Sequence, residues 1–513
     1  MQRSTWGLIV SLPAAIVLIA LLAGFGQRPN SIIPPSSSDD SGREAKTSEE
    51  PLLVYCAASN RAVIEAIRTA YEQETGRRVD VQYGASQTLL SSLEVSGVGD
   101  LYLPADDSFI EIARSKQLIA EVLPLASMHL VVATKKNNPK QIHSFQDLLR
   151  SDVRFVQADP DAAAVGKVTR RLLSGDQSWE KLKSNTATFR ATVNEAANDV
   201  VVDAADAAIV YDAVLQTYPD LTSVELPELA GGVSRVKIGV TAASRRPTEA
   251  LHFARYAAAR DRGLKSYVDL GFQVEKGDRW SDAPELSIFA GSMLRPAIEE
   301  TITAFEQREG VHVNRVYNGC GILVAQMKAG EHPDAYFACD SEFMKALPDL
   351  FPSPVDVSQN ELVILVQKGN PHKIASLKDL AKPGLRVGVG HEKQCAMGWL
   401  TQNTLKEGGV QSEVMSNVTV QTPTGDMLVN QMQTGSLDAA VAYLSNAAGA
   451  GDSLDAIRIT GLQCAVAVQP YAVAVDAAHP QLADRLLRRI RSAESKEAFL
   501  AEGFSWKADA PVP

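Results

Sequence analysis

Cysteine is scarce in this chain, with five in 513 residues. That supply excludes a disulfide-stapled scaffold, and the odd count leaves at least one thiol unpaired. Aromatic residues are few, at 6%. Positive charge is not in excess either: 50 Lys and Arg stand against 61 Asp and Glu, a formal net of −11. A chain of this balance offers no basic face for nucleic acid. It does not exclude a small anion, because helix N-termini bind anions without any cationic side chain.

What is present begins with "WGLIVSLPAAIVLIALLAGF", Trp6 to Phe25, an uncharged run long enough to span a bilayer. "LLAGFGQ" is a poor signal cleavage site, and no cysteine follows for lipid attachment. Residues 1–26 are therefore expected to be an uncleaved anchor with the rest of the chain exported; a cleaved signal is the alternative. Residues 27–50, rich in Pro, Ser and charge, cannot form a core and read as a flexible tether.

The remainder repeats itself. "AYEQETGRRVDVQYGAS", Ala70 to Ser86, recurs 234 positions later as "AFEQREGVHVNRVYNGC", Ala304 to Cys320. Asp100 then meets Asp334, and Asp106 meets Asp340. Further on the offset is 232: Asn138-Pro139 meets Asn370-Pro371, and Tyr211 meets Tyr443. A register kept from end to end with a two-residue drift is the mark of a tandem repeat with loop indels. The expected units are residues 51–283 and 284–513. In this alignment Cys320 takes the place of Ser86.

Each unit reads as alternating strand and helix. "PLLVYCAAS" is an apolar run that ends in small residues, and "RAVIEAIRTAYEQETG" carries Ile64, Ile67 and Tyr71 at helical spacing. Ile298, Ile302 and Phe305 repeat that stripe. "SFQDLL" and "SLKDLA" read as helix starts with a Ser cap. Such alternation predicts an α/β fold, mostly parallel sheets with helices on both faces. Ligands then sit beyond the carboxyl ends of strands, at helix N-termini. The small-residue loops Ala57–Ser59 and Gly84–Ser86 are the places to look, although a serine there also reads as a plain cap.

Through these loops the sequence resembles the periplasmic molybdate-binding proteins, solute-binding components of ABC importers. The likeness lies in a strand ending in Ala-Ala-Ser, the helix ending "YEQETG", "GAS", the loop at Asp159-Pro160 and "AIVY" before Asp212. It covers both copies from about Pro51 onward. It implies two tandem type II periplasmic-binding domains, each of two α/β lobes closing over a ligand. It carries the oxyanion ligands onto Ser59, Ser86, Val165, the backbone of Val193 and the hydroxyl of Tyr211 in the first copy. In the second copy they fall on Ser292, Cys320, Met397, Gly425 and Tyr443; Ser292 matches Ser59 only with a one-residue shift. The first copy reads Ala-Val-Gly where the family has Pro-Ala-Gly, and "HEKQCAMG" replaces the second copy's Asp-Pro loop.

Cys320, Cys339 and Cys395 fall in loops that this resemblance places near the cleft. They read as small semi-buried residues, as a disulfide of Cys320 with Cys395, or as a soft-metal or redox site aided by Met293 and Met397. Cys56 and Cys464 sit in apolar runs and read as core. No histidine is matched to Cys320 as a base, so no enzyme is expected, and no cofactor. The expectation is an extracytoplasmic, membrane-anchored protein that captures a small oxyanion (molybdate, tungstate or sulfate-like) for an ABC permease. The alternatives are a sensor or scaffold with one degenerate domain, or a metal or redox protein using the second copy's thiols.

Overall fold

The computed structural model describes residues 50–175 and 177–508. The expected anchor, and the tether up to residue 49, lie outside the described residues. Among those described, no helix is long and apolar enough to cross a membrane.

The chain builds two 10-stranded sheets whose strand orders are the same. The first runs Val79–Gly84, Leu52–Ala57, Leu101–Leu103, Val233–Thr241, Ile119–Lys135, Ala207–Tyr211, Phe155–Ala158, Thr186–Arg190. The second runs His312–Asn318, Glu285–Gly291, Ala335–Phe337, Val466–Val473, Val355–Gln367, Ala439–Tyr443, Val387–Gly390, Val418–Thr422. Matched pairs fix the correspondence. Val54 pairs with Leu101 as Ile288 pairs with Ala335, and Leu130 with Tyr211 as Leu362 with Tyr443.

The outer strands of each lobe pair in parallel, as expected. The middle of the sheet is antiparallel. Ile119–Lys135, 17 residues long, pairs with Val233–Thr241 in one lobe and with Ala207–Tyr211 in the other. It therefore belongs to both lobes and crosses between them. Val355–Gln367 does the same in the second repeat. Such crossing strands let two lobes move as bodies about a narrow waist.

Local sequence explains most elements. The helix Arg61–Thr75 buries Val63, Ile64, Ile67 and Tyr71 on one stripe. Burial of each such side chain is worth about 1.5–3 kcal/mol. The helix stops at Gly76 (φ 72°), and its counterpart Arg295–Glu309 stops at Gly310 (φ 64°), both left-handed caps that favour glycine. The expected helix starts at Ser144 and Ser376 are instead short 3-10 turns, Phe145–Leu149 and Leu377–Ala381. Each is closed by a capping box from Asp147 or Asp379, which satisfies the turn without extending it.

The two repeats meet through a buried ion triad. Glu309, at the end of its helix, accepts from Arg485 Nε (2.6 Å) and from Arg255 Nη1 (3.2 Å). Arg255 lies on the first repeat's helix Pro247–Ala257 and Arg485 on the second's Pro480–Ile490. Beside it Arg308 binds Glu121 through two nitrogens, at 2.7 and 2.9 Å. Asp278 accepts from the amides of Gln481 and Leu482, at the start of the Pro480–Ile490 helix.

Candidate functional site

In the first repeat the five candidate residues line one small cavity, about 20 Å³, between the lobes. Ser59 lies in the 3-10 turn Ala58–Asn60 after the first strand. Ser86 opens the helix Ser86–Ser96, Val165 is second in Ala164–Leu173, and Val193 opens Val193–Val201. The first turn of each helix leaves amide N–H groups without an intrahelical partner, and three such turns converge here. Alanines, Gly84 and Thr192 complete the wall, and no lining residue is charged. A hollow of this size suits a guest of a few atoms rather than a sugar or peptide. It is held narrow by a bond across the lobes, from Gln87 N to the Ala162 carbonyl (3.1 Å).

The polar side chains are not equivalent. Ser86 Oγ accepts from the Ala105 amide (3.2 Å) and keeps its own proton for another acceptor. Ser59 Oγ is buried with no hydrogen-bond partner. Tyr211 departs from expectation: its hydroxyl pairs with Ser234 Oγ at 3.0 Å. Ser234 has one proton, and its own acceptors are the Ala105 carbonyl (2.8 Å) and Asp106 Oδ2 (2.9 Å). Tyr211 is thus the donor in that pair and is not a free donor to a guest. Burial holds its phenol far above the usual range, so it stays protonated. Sequence reading missed Ser234, which stands opposite Met128 only through strand register.

The second repeat places its candidates at the matching turns but changes their chemistry. Cys320 opens the helix Cys320–Lys328, Met397 is second in Ala396–Glu407, Gly425 opens Gly425–Gln433 and Tyr443 ends its strand. Cys320 Sγ accepts from the Cys339 amide (3.0 Å), the same bond that Ala105 makes to Ser86. The Ser292 assignment is corrected. With Val54 set against Ile288, Ser59 falls on Met293, and Ser292 stands one place early, only half-buried. Tyr443 Oη is buried with no partner, because Ala467 occupies the place of Ser234. The lobes are again latched, from Gly321 N to the Gln394 carbonyl (3.0 Å).

All five cysteines are free, so the Cys320–Cys395 bridge is not formed. Cys395 Sγ turns back to cap its own helix, accepting from Gly398 N at 3.3 Å. Among the described residues no group of three or more His, Cys, Asp or Glu side chains is placed to hold a metal ion. Cys56 is core as expected, whereas Cys464 is half-exposed. Burial raises the Cys320 thiol, but hydrogen bonding from the Cys339 thiol, the Tyr336 hydroxyl and the Cys339 amide outweighs it, and its pKa falls below the usual value. Cys339 moves the opposite way, through its bond to Cys320 and its burial. Burial pushes Cys395 up to about 11.

The family described as bacterial extracellular solute-binding protein matches residues 52–263 and again residues 286–505. A putative binding protein of Haemophilus influenzae is 28% identical over 226 residues, 44% of this chain and 91% of that protein. The molybdate-binding protein ModA of Mycobacterium tuberculosis is 27% identical over 229 residues, again 44% of this chain and 85% of the relative. Among solved structures, the periplasmic molybdate-binding protein of Azotobacter vinelandii superposes with a TM-score of 0.38 at 15% identity. It covers 44% of this chain and 100% of that one.

Proposed function

This chain belongs to the bacterial extracellular solute-binding proteins and carries the family's unit twice; from that premise we propose that its first repeat captures a small oxyanion. Molybdate is the guest suggested by the named relative ModA, a molybdate-binding protein, and tungstate is an oxyanion of the same charge and shape. The receiver is an ABC permease, and the chain works outside the cytoplasm on an N-terminal anchor. Binding, not chemistry, is the activity.

The observation that carries this reading is Ser59: a buried hydroxyl without a partner, on an uncharged hollow ringed by helix N-termini. A buried hydroxyl left unpaired costs about 1–3 kcal/mol, which a guest accepting its proton recovers. Neutral walls select by donor count and size, and the latch between the lobes closes over the guest. The second repeat lacks this hydroxyl and is read as taking a different ligand.

The test is calorimetric titration of the full chain with molybdate, tungstate and sulfate, repeated on Ser59→Ala and Ser86→Ala. One oxyanion should bind per chain. Each variant should lose about tenfold or more in affinity, as expected for a hydroxyl bound to a charged guest. Absence of heat with all three anions, or unchanged affinity in both variants, overturns the reading.

A further inference from the structure

The second repeat's cleft has exchanged oxygen for sulfur. The positions that line the first cavity as Ser59, Ser86, Ala105, Ala163 and Val165 are Met293, Cys320, Cys339, Cys395 and Met397 in the second repeat. The whole chain has five cysteines and nine methionines. Three of those cysteines and two of those methionines occupy this one set of positions, and all five are buried.

The exchange is compensated. The first cavity's Ala57 and Ala85 become Gly291 and Gly319. A methyl group at Gly291 would collide with Cys339 Sγ and come within 3.1 Å of Cys320 Sγ. One at Gly319 would collide with the Gln394 and Pro423 carbonyl oxygens before Cys395 Cβ at 3.3 Å, so that glycine serves the close approach of backbone. At Gly291 backbone has been thinned where sulfur has been added, so the thiols of Cys320 and Cys339 sit where the first repeat's guest cavity has its wall. A core merely refilled with apolar groups would not place two thiols against each other, with the Cys339 amide on Cys320 Sγ. Nor would it leave the Tyr443 hydroxyl buried and unpartnered beside them.

The charge nearby has the sign a cation needs. Asp340, buried next to Cys339, stands near Tyr443 and both thiols. A groove of about 400 Å³ beside Gly321 carries Glu342 and Glu392 against Lys393 alone. In the first repeat Lys167 leans over the Phe109 ring, at the counterpart of Trp399 and Phe343 in that groove.

We propose that the second repeat binds a soft monovalent d10 cation, copper(I) being the representative, between the thiols of Cys320 and Cys339, with the thioethers of Met293 and Met397 beside it. Thiolate and thioether donors select such ions over hard cations. Binding is ligand exchange without redox change: two S–H bonds give up their protons to solvent, two metal–sulfur bonds form, and the site gains a net charge of −1. The proposal rests on reading both repeats as solute-binding units, with the second cleft tuned to another guest.

The experiment uses the full chain, reduced and anaerobic, titrated with copper(I) against a competing chelator while thiolate-to-metal absorption is followed. One copper per chain is expected, with only sulfur in its first coordination sphere by X-ray absorption. Cys320→Ser/Cys339→Ala should lose stoichiometric binding, whereas Cys464→Ser should keep it. Met293→Leu/Met397→Leu, which preserves volume, should weaken binding by about tenfold or more. Should the double cysteine variant fail to fold, the methionine variant and the sulfur coordination of copper in the wild type still decide. No binding, oxygen or nitrogen ligation of the copper, or full affinity in the variants overturns the proposal. Molybdate titration of the same samples reports on the first repeat separately, so failure of one reading is distinguishable from failure of the other.

Discussion

The hydroxyl of Tyr211 donates to Ser234 Oγ across 3.0 Å, and Ser234 in turn reaches the Ala105 carbonyl and Asp106. This tyrosine in the wall of the first cavity is therefore braced from behind. Tyr211→Phe should leave oxyanion affinity within about threefold of wild type while lowering unfolding stability by about 1 kcal/mol, the loss of one buried hydrogen bond. Calorimetry and urea denaturation on the same sample separate the two effects. A large affinity loss would put Tyr211 on the guest.

Thiol chemistry follows from burial. Cys56, Cys320, Cys339 and Cys395 are buried and Cys464 is partly exposed. An aromatic disulfide reagent should find one fast thiol in the native protein, lost in Cys464→Ser. Unreduced protein in denaturant should give five, since all five are free. Three in denaturant would mean that a bridge forms after all.

Glu309 holds two buried arginines, Arg255 and Arg485, one from each repeat. Glu309→Ala leaves two like charges buried and facing each other. It should cost about 3–5 kcal/mol, the usual penalty for breaking a buried ion pair from one side. Chemical denaturation measures it, and the loss should fall on both repeats together. A triple replacement of Glu309, Arg255 and Arg485 by apolar residues should recover most of it. If Glu309→Ala unfolds like wild type, the triad is not what couples the repeats.

His252 sets a pH dependence. Its Nδ1 accepts from the Tyr71 hydroxyl (2.9 Å) and its Nε2 lies 2.8 Å from Asp282. Burial holds it neutral down to about 4, against the pull of Asp282 and with Arg77 and Arg255 nearby. The unfolded chain takes up a proton near pH 6.5. Between about 6.5 and 4 the unfolded state thus binds more protons, and stability falls as pH falls through that window, by about 2–3 kcal/mol. Denaturation midpoints at pH 7 and pH 4.5 test it, with His252→Gln expected to flatten the slope. An equal slope in the variant would assign the effect elsewhere.

The sequence by itself carried the alternation of strand and helix, the two-fold repeat, and the turns Ala57–Ser59 and Gly84–Ser86. Those features are local: apolar spacing fixes an element, and small residues at a helix start leave its amides open. The match of Ser86 with Cys320 was legible for the same reason, since it follows from one unbroken register. Met293 in place of Ser59 was also within that register, which the Ser292 assignment left by one residue and strand pairing restores. What lies across the chain was not legible. The partner of Tyr211 depends on which residue of Val233–Thr241 lies opposite Met128. Glu309 meets Arg255 and Arg485 over separations of 54 and 176 residues. Sequence spacing determines which face a side chain takes on its own element, but only the pairing and packing of elements decide what that face meets.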